Sequence, residues 1–169
     1  MAKVVGTTAD ALYSRQRALV ELGVLETVKG RGPGSGTPLN ANSLAAMIIA
    51  LMAADSLQDT DKRVTALCNA VPERGKLCPF TKKETLHSAL AALLDSNQLI
   101  GSFSYFSMSR PSMAQIGYGR PNKSLSSIFH AMPMQRGEVS AIQIIARIDT
   151  PIIRALSAML HAELAGEIR

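Results

Sequence analysis

Residues 43–54 read SLAAMIIALMAA, twelve residues without a charge. Spanning a bilayer takes about 20 apolar residues, so this run is too short, and Asp55 ends it. Leu44, Met47, Ile48 and Leu51 fall at i, i+3, i+4 and i+7, the spacing of a helix. A helix this apolar is expected to be buried, and so to anchor the structure built around it. Asn40, Asn42 and Ser43 are the candidates to cap it.

The chain has 169 residues, enough for one fair-sized domain or two small ones sharing a core. Hydrophobic residues make up 47%, aromatics only 4%, and there is no tryptophan, which points to an aliphatic globule rather than a disordered chain. Cys68 and Cys78 are expected to be reduced, partly buried thiols, with a disulfide as the lesser alternative. Met1-Ala2-Lys3-Val4-Val5 lacks the pattern of an export signal, so a cytoplasmic protein without a membrane partner is expected. A net charge of +5 tilts the choice of partner toward polyanions.

Thr7-Thr8-Ala9-Asp10 reads as a helix start, with a threonine cap and an acid in the first turn. Leu12, Leu19 and Leu22 give this helix an apolar face, Arg15, Gln16 and Arg17 lie beside or opposite it, and Gly23 stops it. Val24–Val28 suits a strand and Thr37–Leu39 its return, with VKGRGPGSGTPLN at 28–40 forming the turn. A further helix starts at Asp59-Thr60-Asp61 and carries Val64, Leu67 and Cys68. The proline- and glycine-bearing stretch 72–80 is the expected boundary between parts 1–72 and 73–169.

In the second part, Thr81-Lys82-Lys83-Glu84 has the spacing of a capping box, and the following helix, through Leu86, Leu90, Leu93 and Leu94, ends near Asn97. Strand-like runs follow at 102–107, Met113–Tyr118, Leu125–His130 and Val139–Ile148, where Ile142, Ile144, Ala146 and Ile148 mark one apolar face. Thr150 as cap and Pro151 as first residue start a closing helix packed through Ile152, Ile153, Leu156, Met159, Leu160 and Leu164. The expected class is α+β: a helical, winged-helix-like N-terminal part with a β-hairpin, then a small antiparallel sheet packed by helices.

The glycine-rich segment is no Walker-type phosphate loop, because Thr37-Pro38 stands where a lysine and a hydroxyl residue must head a helix. Nor does it have the frame of a dinucleotide fingerprint. A wing along DNA needs glycine for close approach and cations at its tip, which Lys29 and Arg31 supply beside Ser35. Tyr13, Ser14, Arg15, Gln16 and Arg17 on the preceding helix are residue types that reach base edges or phosphates. A surface hairpin and a solvated helix face are the plain alternatives.

Residues Leu12 to Glu26, the basic glycine-rich turn and the apolar helix after it resemble the second half of a winged helix-turn-helix. The stretch 8–54 is similar to the recognition helix, Gly-apolar-Leu step and wing of MerR-type and related phage regulators. The resemblance implies a DNA-binding transcriptional regulator, paired as a homodimer on double-stranded DNA. About eight residues precede the recognition helix, too few for the usual first helix, so support is expected from residues 43–70 or from a partner chain.

His87, His130 and His161 lack metal-ligand spacing, and no nucleophile or paired carboxylate can be assigned, so neither enzyme, metal nor cofactor is expected. Phe103, Tyr105, Phe106, Tyr118, Arg110 and Arg120 combine rings and cations as single-strand-binding sheets do, but in so aromatic-poor a chain the core has first claim on the rings. The second part is therefore expected to serve dimerisation or sensing. The competing functions are a phage structural or packaging-associated assembly protein and a protein-binding adaptor or inhibitor.

Overall fold

The computed structural model describes residues 1–27, 36–53, 60–109, 112–120, 123–131 and 145–165. In chain order its elements are α1 (Ala2–Val5), α2 (Ala9–Glu21), α3 (Ala41–Ala53), α4 (Thr60–Cys68), β1 (Val71–Pro72), α5 (Leu86–Asp95), α6 (Asn97–Ser102), β2 (Phe103–Ser109), β3 (Met113–Arg120), β4 (Lys123–His130), β5 (Ile145–Asp149) and α7 (Thr150–Leu164). The class is α+β: helices come first, and an antiparallel sheet packed against helices follows.

The apolar run forms α3, and every residue from Ser43 to Ala50 is buried. Its burial extends beyond the one face that Leu44, Met47, Ile48 and Leu51 marked, because α2, α4, α5 and β5 all pack against it. Asn40 is the cap: its Oδ1 accepts from the Ser43 N–H at 2.8 Å, while Ser43 Oγ accepts from the Asn40 N–H at 2.9 Å. This reciprocal pair satisfies two donors that a buried helix start could not leave unpaired. The His87 ring, with Nε2 2.8 Å from the Asn42 carbonyl oxygen, ties α5 to the same end.

The sheet runs β1-β4-β3-β2-β5, and each neighbouring pair is antiparallel. Phe106 pairs with Ile116 on one side and Ile148 on the other, and Met108 with Ala114 and Ala146. With Phe129 these residues form the helix-facing side, against α3, α6 and α7. The opposite positions on β5, Ile145, Arg147 and Asp149, are exposed, so the expected alternation holds where that strand is described. Ser157 Oγ donates to the Leu94 carbonyl at 2.7 Å, joining α7 to the end of α5. The apolar core runs without interruption from Leu19 to Leu160, past the segment 72–80. Among the described residues no helix is long and apolar enough to cross a membrane.

Several local expectations are corrected. The capping box lies at Thr85 and Ser88, not at Thr81 and Glu84. A turn closed by Cys78 N–H to the Lys83 carbonyl and Lys82 N–H to the Cys78 carbonyl, at 2.8 and 2.9 Å, takes up residues 78–83 and pushes the helix start downstream. Asp149, not Thr150, is the N-cap of α7, yet it makes no side-chain cap bond, because Arg147 Nε holds its carboxylate at 2.8 Å. Thr150 Oγ1 reaches the Ser104 carbonyl instead, at 2.7 Å. Leu164 is 61% exposed rather than packed. No strand occurs over Val24–Thr27 or Thr37–Leu39, and of the turn between them residues 28–35 lie outside the described residues. Ile142 and Ile144 also lie outside them.

Cys68 and Cys78 are both buried and free. Burial pushes the Cys68 thiol up to about 12, so it stays protonated and unreactive at neutral pH.

Candidate nucleic-acid interface

The N-terminal step is built from short-range signals. Helix α1 ends at Gly6, whose φ of 68° is left-handed, and the Thr7 N–H closes back on the Ala2 carbonyl at 3.1 Å. Thr8 then caps α2 by accepting from the Ala11 N–H at 3.2 Å. A helix, the turn Gly6-Thr7-Thr8 and a second helix therefore stand where too little chain for a first helix was expected. Helix α2 is supported by α3 and α4, within the expected residues 43–70, and α1 rests on α7.

The other end of α2 is a Schellman stop. Val24 N–H bonds to the Leu19 carbonyl at 2.9 Å and Gly23 N–H to the Val20 carbonyl at 3.0 Å, with Gly23 at φ 69°. The Gly-apolar-Leu step is thus a helix termination that lets Leu25 turn back into the core. Replacing Gly23 with alanine, where there is open space but a left-handed backbone, is expected to cost about 1–2 kcal/mol. Chemical denaturation, read as a shift of the midpoint at unchanged slope, checks it.

The five residues named on α2 do not share one surface. Tyr13, 62% exposed, and Arg17 lie on the outer edge with Asp10 and Glu21. Ser14 and Arg15 are half-buried. Gln16 lines a cavity of about 250 Å³ between α2 and α3, beside Leu12, Leu44 and Met47, so it points away from that edge. The acids offset Arg15 and Arg17, so α2 carries no net positive charge. Lys29, Arg31 and Ser35 lie outside the described residues. Leu25 and Thr37, on the two flanks of that segment, line the same cavity, which brings the chain leaving α2 beside the chain entering α3.

The rings of the second part are mostly claimed by packing. Phe103 and Phe106 are buried, and Tyr118 stacks on Phe80 with centroids 4.3 Å apart and planes 4° from parallel. Tyr105 lies across Gly117 on the neighbouring strand, and the Arg147 guanidinium sits 4.5 Å from its centroid, so that ring too is occupied within the sheet. Arg110 lies outside the described residues, and Arg120 ends β3. Among the described residues, no three His, Cys, Asp or Glu side chains converge as a metal site.

The α1–Gly6–α2 step is the feature that sequence reasoning missed. Its signal was Val5-Gly6-Thr7-Thr8, a left-handed glycine followed by hydroxyl caps. Comparison with known proteins finds no matching family model, no matching curated protein and no matching solved structure.

Proposed function

We propose that this protein binds double-stranded DNA as a transcriptional regulator, with the exposed edge of α2 as the reading element. The observation that carries the reading is the helix, left-handed Gly6, Thr8 cap and second helix, which leaves Tyr13 and Arg17 outward on an element anchored from behind by α3 and α4. A recognition helix has to be held rigidly while its outer side chains stay free, and this arrangement meets both requirements. Tyrosine and arginine are suited to stacking, phosphate contact and readout of guanine. Because α2 lacks net positive charge, most of the phosphate attraction has to come from elsewhere, and Lys3 before α2 and Lys29 and Arg31 after it are the nearest sources in sequence. One helix reads only a few base pairs, so the reading includes pairing of two copies on two-fold-related half-sites.

The test is a fluorescence-anisotropy titration of a labelled mixed-sequence duplex with wild type and with a Tyr13→Ala/Arg17→Ala variant, at low and near-physiological salt. Wild type is expected to bind and to weaken steeply with salt, and the variant to lose at least tenfold in affinity. Absence of wild-type binding at low salt would move the assembly and adaptor readings to the front.

A further inference from the structure

A group of exposed cations without ion-pair partners among the described residues lies away from α2. Arg74, Lys76, Lys82, Lys83 and Lys123 are all exposed, and none forms an ion pair with a described residue. Main-chain and side-chain bonds bring them to one edge of the sheet. Glu73 N–H bonds to the Ile128 carbonyl at 2.8 Å, and Cys78 Sγ lies 3.3 Å from Ser127 Oγ, so the loop after β1 is pinned along β4. The Cys78–Lys83 turn holds Lys82 and Lys83 against that pinned loop, and Lys123 starts the same strand. The two acids in the loop region are Glu73, whose Oε1 lies 3.6 Å from His130 Nε2, and Glu84, two against five cations. A groove of about 210 Å³ between loop and strand is lined by Arg74, Ser126 and Ser127. Lys82 is also the one non-glycine at positive φ among the described residues, at 59°.

We propose that the loop Glu73–Lys83 and the head of β4 form a second cationic surface that holds nucleic-acid phosphate, separate from α2. Five cations gathered with only Glu73 and Glu84 beside them leave a net excess of like charge, and a polyanion relieves that repulsion while releasing its own counterions. Lysines on a loop and a strand end act as point charges, which suits a backbone of phosphates better than a single planar carboxylate. Addition of an acidic peptide as an extra strand is disfavoured: Pro72 stands in β1, Lys123 marks the open part of the β4 edge, and the pinned loop covers Ser127 and Ile128. This surface would supply the positive charge that α2 lacks, and it rests on the duplex-binding reading for its class of ligand.

The test compares wild type, an Arg74→Gln/Lys76→Gln/Lys83→Gln/Lys123→Gln variant and the Tyr13→Ala/Arg17→Ala variant on two unrelated duplexes across a salt series. A glutamate-rich peptide serves as competitor, and thermal unfolding confirms that the variants fold. The four-glutamine variant is expected to bind both duplexes more weakly by the same factor. Its slope of log K against log salt should flatten by about 2–4, at about 0.9 per lost phosphate contact. Wild-type affinity and slope in that variant overturn the proposal and leave the α2 reading standing. Loss in that variant with none in the α2 variant upholds the second surface and overturns the α2 reading. A wild type that binds the peptide but neither duplex overturns both.

Discussion

A Gly119→Ala variant is expected to lose about 2–6 kcal/mol of stability when backbone strain and overpacking are added. Gly119 has φ +130°, a region closed to side chains, and an added Cβ would stand 2.1 Å from the Lys123 carbonyl oxygen. That oxygen belongs to backbone at the start of β4, where Arg120 pairs with Lys123 and Gly119 with Ser124, so it cannot move aside without breaking the register of the hairpin. Gly101 is the control: it lies inside α6 with nothing within 4 Å of an added Cβ, and alanine there is expected to be neutral or to stabilise by up to about 1 kcal/mol. Urea denaturation of the two variants checks the contrast, and a Gly119→Ala midpoint equal to that of wild type would contradict it.

An Ile48→Ala variant is expected to lose about 2–5 kcal/mol, the range for deleting a fully buried aliphatic side chain. Ile48 is inaccessible to solvent on a helix that touches elements of both halves of the chain. The loss should therefore appear on both sides of residues 72–80. Hydrogen exchange of amides in α4 and in β2 is expected to accelerate by similar factors, because one apolar core joins them. Acceleration confined to α4 would show that the halves unfold independently.

What the sequence made legible follows from the length of each pattern. Helices α2, α3 and α7 carry several turns of apolar spacing, and β2 to β4 run for seven or eight residues, so each announced itself. Helix α1 has four residues and β1 two, too few for a period to show, and Pro72 read as a breaker although it pairs with Phe129. The shift of the cap from Thr81 to Thr85 depended on a turn whose bonds run between residues four and five apart, which spacing rules do not anticipate. Gln16 was a missed inference rather than a hidden one. It stands at i+4 from Leu12 and i−3 from Leu19, on the stripe that faces α3, and its polar chemistry drew it into the group with Tyr13 and Arg17. The cationic edge could not be read from the chain, since only the pinning of the loop along β4 sets Arg74 and Lys76 beside the strand that Lys123 starts.

The central claim, that DNA is read by the outer edge of α2, is tested most directly by following backbone amide shifts of isotope-labelled protein during titration with a duplex. The account predicts that Asp10, Tyr13, Ser14 and Arg17 shift together and saturably while the buried amides of α3 stay in place. Movement confined to other surfaces, with the α2 amides unchanged at saturation, would contradict it.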